Sequence, residues 1–389
     1  MHPTGNTVTQ AIFWGRQDRL PPILGALGSI PLLIVTPLLV MSSCIALEHF
    51  DASISDMLSA FWHQGSWNFL SRYFPYPVTG AFLAYLGWIA LQALLYTLLP
   101  GSSYVGQPTP GGNVLTYKLN GLQAFIITIS LFILAEVAGL AKLSYIATSW
   151  PGILVVANIY GVFITLVAYL KAHLKPSHPS DTRFSGSSIH DIYGGCELNP
   201  RWGENWDIKL FHIGRLGMSA WLMIDISFTT LQFNRFGYIS NSMVIVLVLQ
   251  GIYVLDFFWN EHWYLKTIDI HHDHFGFYLA WGSTAGLSGV YSLQSRYLAR
   301  HPVDLSFTSA TMILTIGIVG YIVFRSSNNQ RLRARLADGK CIIWGNKAKV
   351  IRSSYMTFDG SVHKSLLLYS GMSLHYEPVS NLNSTALYT

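Results

Sequence analysis

Long apolar stretches alternate with shorter polar ones along most of this 389-residue chain. Stretches of about 18 or more apolar residues predict helices that span a bilayer. About eight such stretches occur, near residues 22–46, 78–99, 121–142, 150–171, 215–232, 241–259, 275–294 and 308–324. Met1–Arg19 lacks the charged-then-apolar order of a cleavable signal, so we expect the first span to direct membrane insertion. The pattern predicts an all-α fold, a polytopic transmembrane helical bundle.

Three polar segments separate or follow these stretches. Gly101–Lys118 is rich in Pro and Gly and predicts a turn-rich loop between two spans. Lys171–Lys209 is longer, and the charged and aromatic residues of its second half favour a structured loop that lines a cavity. The segment from Arg325 onward has no apolar stretch of spanning length and begins with a basic cluster, which marks the cytoplasmic side of a membrane.

The composition supports a membrane protein. Hydrophobic residues make up 51% of the chain and charged residues only 11%, whereas a soluble domain is about 25% charged. This excludes a cytosolic enzyme, a disordered chain and a basic nucleic-acid binder. The charged residues, whose net charge is +5, lie between the apolar blocks, and this suits loops on an anionic membrane face. The three cysteines (Cys44, Cys196 and Cys341) lie far apart and indicate neither a disulfide framework nor a zinc site.

Ionisable residues are concentrated between the sixth and seventh predicted spans. They are Asp256, Glu261, His262, Lys266, Asp269, His271, His272, Asp273 and His274. Ionisable groups at membrane depth face a cavity or one another because an unpaired charge in lipid is costly. One interpretation is a juxtamembrane loop whose charges are solvated. The interleaved tryptophans, phenylalanines and tyrosines make the stretch too apolar for a free loop and favour a buried polar site between aromatic walls.

Neither a metal centre nor a Rossmann site is predicted. Zinc or iron needs three or four converging ligands, and the histidines cluster only once, at His271, His272 and His274. The chain also has no G-x-G-x-x-G motif after a strand. If a dinucleotide binds, helix ends and arginines must therefore hold it.

Several motifs resemble one known family. NEHWYLKTIDIHHDHFGFYLAWG (Asn260–Gly282) resembles the signature of the sterol C=C reductases, which include the Δ14- and Δ24(28)-sterol reductases and the lamin B receptor. ELNPRWGENWDIKLFHIGRLGMSAW (Glu197–Trp221) resembles the LNPR motif of that family, and TPGGNVLTYKLNGLQAF (Thr109–Phe125) resembles an earlier loop. The WYLKTID and HDHFG portions are most similar to the Δ7-reductases, which act on 7-dehydrocholesterol. The resemblance covers about residues 85–371.

The resemblance implies a function in sterol biosynthesis. It implies an oxidoreductase of the endoplasmic reticulum membrane that saturates C7=C8 of a 5,7-diene sterol with NADPH as cofactor. The partners would be the sterol, taken from the bilayer, and membrane lipids, with no nucleic acid. It further implies a transmembrane sterol-reductase domain over residues 1–325, a basic cytoplasmic cofactor-binding segment over 326–371 and a divergent polar tail over 372–389. Family members have about ten spans.

Roles in catalysis are assigned from position in the motifs. The predicted catalytic residues are Tyr253, Glu261, Asp269 and His272. Tyr253 falls where the family places a tyrosine that faces the reaction centre, which makes it a proton donor or relay; the alternative is a tyrosine of the membrane interface. Glu261 and Asp269 are expected to orient this donor or to form hydrogen bonds with Arg215 and Lys209. The alternative is that they form a structural buried ion pair.

The predicted cofactor-binding residues lie after the last span. Arg331 and Arg335 match the Lys and Arg that hold the NADPH phosphates in the family, and the fork and permanent charge of arginine suit a 2′-phosphate. A positive-inside cluster is compatible with the same residues. Leu368 falls where the family has an apolar residue against the cofactor.

The expected chemistry defines the pocket. A trisubstituted alkene is a poor hydride acceptor, so an acid must protonate it before hydride quenches the tertiary cation. The cation needs π faces or carboxylates nearby and the exclusion of water. The residues predicted to line this substrate pocket are Asp256, Trp259 and Trp281.

The resemblance ends at Gly371. The family continues with two more spans and with residues that contact the nicotinamide and the ribose, whereas a polar and unrelated sequence follows here. We therefore expect the C-terminal part of the family pattern to be missing and NADPH-dependent reduction by residues 1–389 to be impaired. The alternatives are a Δ14-sterol reductase and, from a different class, a non-catalytic sterol-binding pseudoenzyme.

Overall fold

The computed structural model describes residues 21–369, so the predicted polar tail over 372–389 lies outside the described residues. The described chain divides into two compact units, one over residues 21–310 and the other over residues 311–369. The first unit contains nearly all of the predicted spans. The second contains most of the last span and the basic segment that follows it.

Five helices within residues 21–369 are long and apolar enough to cross a bilayer. They are Pro22–His49, Thr79–Leu98, Trp150–Leu174, Asn241–Trp259 and Phe307–Leu336. Gly121–Val137 is a shorter apolar helix. In each of these five helices, at most 44% of the most apolar 18-residue stretch is buried inside the protein. Exposing so much apolar surface to water is unfavourable, so lipid must cover it. These helices confirm the prediction of a polytopic helical membrane protein.

Two further predicted spans are built from joined helical segments. The stretch near 215–232 lies within a continuous helical path made of Ile208–Leu210, the π-helical Phe211–Met218 and Ser219–Phe236. The stretch near 275–294 consists of Phe277–Trp281, the π-helical Gly282–Gly286 and Leu287–Tyr291, followed by Leu293–Leu298. Every residue of Phe211–Met218 is buried. Phe211–Met218 therefore lies in the interior of the bundle, whereas the second path is partly exposed, at Tyr278, Val290 and Tyr291.

Short helices and four two-stranded hairpins complete the described chain. The short helices are Ile54–Gln64, Ser66–Tyr73, Tyr145–Thr148, the 3₁₀ turn Pro179–Asp181, Ser188–Gly194, Glu261–Tyr264 and Ile268–His271. The antiparallel strand pairs are Ser102–Pro108 with Val114–Leu119, Arg201–Trp202 with Trp206–Asp207, Ile342–Ile343 with Asn346–Lys347, and Val350–Met356 with Val362–Leu368.

Three polar connections, residues 99–120, 175–207 and 260–276, meet at one end of the helices, which we call the polar end. Thr109 donates a hydrogen bond to Asp181 over 2.6 Å and so joins the first connection to the second. The amide of Phe275 donates to the carbonyl of Glu197 over 2.9 Å and joins the third to the second. The candidate catalytic residues belong to the third connection and to the helix that leads into it.

The C-terminal unit has a small core of its own. Ala334, Ile343 and Leu368 are buried against one another. The helix Phe307–Leu336 thus supplies one side of this core, and the two hairpins that follow it supply the rest. Asp338 and Arg352 form an exposed ion pair at the start of the hairpin region.

Candidate functional site

Asp269 lies at the centre of a group of phenols at the polar end. It belongs to the short helix Ile268–His271, and its Oδ2 accepts a hydrogen bond from the Tyr264 hydroxyl over 3.2 Å. Tyr253 and Tyr278 lie within electrostatic range of the same carboxylate. One carboxyl group thus accepts a hydrogen bond from one phenol and interacts electrostatically with two more, and we call these four residues the acid cluster.

The electrostatics of the acid cluster favour bound protons. Burial raises the pKa of Asp269, and the nearby carboxylate of Asp273 raises it further. The hydrogen bond from Tyr264 and the charge of Lys209 act in the opposite direction. Burial, with the Asp269 carboxylate beside it, raises the pKa of Tyr264 well above its ordinary value. The cluster can thus hold a proton that a solvated carboxyl group would release.

Glu261 forms a buried ion pair. Its Oε1 lies 2.6 Å from Nη2 of Arg215, and both side chains are almost fully enclosed. Its Oε2 accepts a hydrogen bond from the amide of Gly121 over 2.8 Å, and Arg215 also donates to Asn120 Oδ1 over 2.9 Å. The pair therefore ties the start of the Gly121–Val137 helix to the connection that carries the acid cluster. This arrangement matches the predicted contact with Arg215 and indicates a supporting position.

Lys209 contacts the acid-cluster turn differently from the predicted manner. Its Nζ donates to the carbonyl oxygens of Ile270 and Asp273, over 2.8 and 2.9 Å. No hydrogen bond to the Asp269 carboxylate is found among the described contacts of this ammonium group. Lys209 therefore holds the backbone of the turn rather than the side chain of Asp269.

Two other predicted residues sit near the acid cluster. The Nδ1 atom of His272 lies 3.1 Å from Oδ1 of Asp273, and this pair is partly exposed. Asp256 is buried and accepts a hydrogen bond from the Asn260 amide group over 3.0 Å. Their roles in catalysis and substrate binding stay predictions.

Tyr253 and Trp259 lie on the outward side of the Asn241–Trp259 helix. Tyr253 is 43% exposed, and its ring lies 5.7 Å from the ring of Trp221. Trp259 is 70% exposed at the end of the helix. Exposed apolar side chains on a membrane helix face lipid or a space that lipid can enter. Tyr253 thus combines an electrostatic interaction with Asp269 and access from the bilayer.

Trp281 lies in the core of the bundle. Its ring stacks on Phe277 with 5.0 Å between centroids, and its Nε1 donates to Asn158 over 2.9 Å. It is only 5% exposed. Helix packing accounts for each of these contacts, and the role of Trp281 as a pocket wall stays a prediction.

The three predicted cofactor residues belong to the C-terminal unit. Arg331 and Arg335 are both exposed on the Phe307–Leu336 helix, one turn apart, where residues four positions apart lie side by side. Leu368 instead packs in the core formed with Ala334 and Ile343. Its side chain is therefore covered by protein and is only 4% exposed. Contact between Leu368 and a cofactor stays a prediction.

Two cavities, of about 580 and 850 Å³, also open at the polar end. The long polar loop after Trp150–Leu174 lines both, which confirms the prediction of a structured, cavity-lining loop. The buried cations of the larger cavity are already paired, Lys171 with Glu197 at 2.8 Å and Arg201 with Asp207 at 3.4 Å. Neither cavity includes Asp269, so both are distinct from the acid cluster.

The sequence pattern does not mark Tyr264 or Tyr278 as site residues, because both stand among the aromatic residues that are interleaved with the charged ones. Tyr264 lies five positions before Asp269, and such spacing has no fixed meaning when the two residues belong to separate short helices.

Among residues 21–369, no group of three or more His, Cys, Asp or Glu side chains is arranged to hold a metal ion.

Comparison with known proteins identifies the family. The model of the ergosterol biosynthesis ERG4/ERG24 family matches residues 23–371. A 7-dehydrocholesterol reductase from Danio rerio is 39% identical over 88% of this chain and 75% of its own length. One from Xenopus laevis is 42% identical over 74% of this chain and 63% of its own length.

A relative with a different name also matches. A Δ14-sterol reductase from Methylotuvimicrobium alcaliphilum is 31% identical over 87% of this chain and 76% of its own length. The resemblance noted in the motifs is thereby confirmed. With its apolar spanning helices, this chain is a multi-pass membrane protein that belongs to the ergosterol biosynthesis ERG4/ERG24 family of sterol reductases.

Proposed function

We propose that this protein is an NADPH-dependent reductase that saturates the C7=C8 double bond of 5,7-diene sterols. Two relatives that are 39% and 42% identical are named 7-dehydrocholesterol reductases. The observation that carries the proposal is the acid cluster, in which a partly buried carboxyl group with a raised pKa accepts a hydrogen bond from one phenol and interacts electrostatically with two others.

The reaction requires an acid near an apolar substrate. Protonation of one carbon of the C7=C8 bond leaves a carbocation at the other, and hydride transfer to that second carbon completes the reduction. In water the Tyr hydroxyl and the carboxyl group are weak donors toward an alkene, so the acid must be held protonated in a dry site. Asp269 and Tyr264 satisfy this condition because burial raises the pKa of both.

Tyr253 is the residue in a position to deliver the proton. It combines partial exposure on the lipid-facing helix with electrostatic contact to Asp269. The ring of Trp221 beside it offers a π face to a developing cation. In this mechanism the Tyr253 hydroxyl donates its proton to the sterol, and Asp269 restores the proton to the phenols.

The cofactor assignment rests on Arg331 and Arg335. Two exposed guanidinium groups one helical turn apart fit a phosphate-bearing ligand, since each can donate a fork of hydrogen bonds to phosphate oxygens. NADPH supplies the hydride when it is bound, and the two arginines would hold its phosphates. The basic segment after the last spanning helix also supports a cytoplasmic position, as expected in the endoplasmic reticulum membrane.

The test is reduction of a defined sterol. Microsomes from a host without sterol Δ7-reductase, expressing this chain, would be incubated with a 5,7-diene sterol and NADPH. We expect slow, NADPH-dependent loss of the ultraviolet absorbance of the diene, in keeping with the impaired reduction expected from the sequence, and formation of the Δ5 sterol, detected by mass spectrometry. The matched control omits NADPH. Sterol binding without any turnover would overturn the proposal and support the pseudoenzyme.

A second candidate is reduction of the C14=C15 double bond. It is supported by the relative named Δ14-sterol reductase, which is 31% identical over 87% of this chain. The same proton donor and hydride would serve because both reactions pass through a carbocation. An 8,14-diene sterol offered in a parallel incubation distinguishes the two, and a higher kcat/KM for that substrate would favour Δ14 reduction.

A further inference from the structure

Lys209 is a fully buried cation close to the acid cluster. None of its surface is exposed, and it belongs to the short helix Ile208–Leu210. Asp207 caps that helix by accepting a hydrogen bond from the amide of Leu210 over 2.8 Å. A buried ammonium group is costly unless its donors are satisfied. The identity of its acceptors therefore indicates the role of the residue.

The acceptors are two backbone carbonyls in the turn that follows Asp269. Lys209 Nζ donates to Ile270 O over 2.8 Å and to Asp273 O over 2.9 Å. These carbonyls lie one residue and four residues after Asp269. One side chain thus fixes the path of the backbone through the acid-cluster turn and into the next helix.

The same connection is held a second time, a few residues later. The amide of Phe275 donates to the Glu197 carbonyl over 2.9 Å. Gly195 and Gly276 are in backbone contact, since a Cβ built on Gly276 would lie 2.1 Å from the Gly195 nitrogen. Residues 195–209 therefore form a rigid support for residues 270–276.

We propose that Lys209 is a positioning residue for sterol reduction, one that sets the Asp269 carboxyl group against the Tyr264 hydroxyl by holding the backbone of the turn. This proposal rests on the proposed function of the acid cluster. Lys209 acts through the backbone and does not touch the sterol. Since a displacement of about 1 Å can lower a rate about 100-fold, the loss of this support would reduce turnover without removing a catalytic group.

The test compares Lys209→Met with Lys118→Met. Methionine keeps the length of the side chain and removes the donors. Lys118 belongs to the same polar end, but its Nζ donates to the carbonyl of Thr97 over 2.9 Å and has no described contact with residues 268–273. We expect Lys209→Met to lower kcat at least tenfold with KM for the sterol within threefold, and Lys118→Met to leave kcat within threefold.

A second readout does not depend on activity. Hydrogen–deuterium exchange of the purified protein in nanodiscs should become at least tenfold faster over residues 268–276 in Lys209→Met, and should be unchanged there in Lys118→Met. This arm separates the two proposals, because it can succeed even if the protein reduces no 5,7-diene. Unchanged exchange over 268–276 would overturn the positioning role whatever the substrate.

A third variant covers the case in which Lys209→Met does not fold. Lys209→Gln keeps one amide donor, so it should be recovered and show an intermediate loss of kcat. A kcat within threefold of wild type in either recovered variant, with wild-type exchange, would show that the turn holds its shape without Lys209. A proportional rise in KM instead would overturn the proposal by pointing to substrate binding.

Discussion

The Arg215 guanidinium group lies 2.6 Å from the Glu261 carboxylate, and neither side chain meets solvent. A pair in this position gains strength from the low dielectric constant around it, but each partner is costly when the other is removed. The pair joins the helix at Gly121 to the connection that carries the acid cluster.

Removing one partner should therefore destabilise the protein. We expect Glu261→Gln to lose about 3–5 kcal/mol, the range for breaking a buried pair, and to lower the midpoint of thermal unfolding measured by fluorescence-detected size exclusion. Glu204→Gln, which alters an exposed carboxylate, is the control. The double variant Arg215→Met/Glu261→Leu should regain part of the loss. Equal midpoints for Glu261→Gln and wild type would contradict a structural role for the pair.

Gly121, which packs against the Arg215–Glu261 pair, permits a second test, in which a methyl group is added beside the pair. A Cβ on Gly121 would lie 2.1 Å from Arg215 Nη1, whereas a Cβ on Gly87 would meet no atom within 4 Å. We expect Gly121→Ala to lower the unfolding midpoint and Gly87→Ala to leave it unchanged or raise it, since alanine favours a helix by about 0.5–1 kcal/mol over glycine. Similar behaviour of the two variants would show that the space around Gly121 adapts.

Tyr253→Phe tests the proton donor. The loss of one hydroxyl should lower turnover of the 5,7-diene at least tenfold and leave sterol affinity similar, because the interaction is confined to the transition state. Tyr297→Phe is a matched control: Tyr297 is 44% exposed and stacks on His301 rather than on the acid cluster. Turnover of Tyr253→Phe equal to wild type would remove Tyr253 from the mechanism.

Arg335→Ala tests the cofactor assignment. We expect a rise in KM for NADPH of at least tenfold with little change in KM for NADH, because only NADPH carries the 2′-phosphate. Arg333→Ala is the control, since residues two positions apart face different sides of a helix. An equal loss with both cofactors would assign Arg335 to membrane topology instead.

The raised pKa of Asp269 gives a pH dependence with a defined sign. The folded protein holds this proton more tightly than the unfolded chain, so the associated stabilisation is present at low pH and is lost as pH rises through the raised pKa. That window lies above pH 3.8, the ordinary value. If the protonated form supplies the reaction, the rate should fall with increasing pH over the same window.

Two variants test whether Asp269 causes the falling limb of the pH–rate profile, the range in which the rate declines as pH rises. Asp269→Asn should be slow at every pH and should lack this limb. Asp273→Asn should move the limb to lower pH, because the Asp273 carboxylate raises the pKa of Asp269, whereas Tyr264 and Lys209 oppose it. A limb that is unchanged in Asp269→Asn would assign it to another group. The measurement is initial rate against pH in microsomes at constant ionic strength.

Hydropathy predicted most of the fold because lipid requires continuous apolar surface on a spanning helix. It was less informative for the interior helices. Phe211–Met218 is buried on all sides and includes Arg215, whose charge is matched by Glu261, 46 positions away. Such a match cannot be read from a local window, and neither can the π-helical turns that re-aim these side chains.

The candidate site was predictable only in part, for a similar reason. Charge density identified the connection that carries Asp269 and Glu261. It did not distinguish a pocket wall from a core residue. Trp281 is fixed by Asn158, 123 positions away, and the partners of Lys209 are carbonyl groups, which every residue possesses. Backbone acceptors leave no trace in side-chain patterns.

The pair of Arg215 and Glu261 also bears on biogenesis. Gly121, which completes the Glu261 site, precedes Glu261 by 140 positions. At about 5–20 residues per second, a ribosome needs about 7–28 s to cover that distance. During the later part of this interval Arg215 has been synthesised and Glu261 has not, so the charge of Arg215 has no carboxylate partner. An unpaired charge in lipid is costly. We therefore expect the middle helices to pack loosely, with Arg215 near water or the translocon, until the Asn241–Trp259 helix and Glu261 have been synthesised.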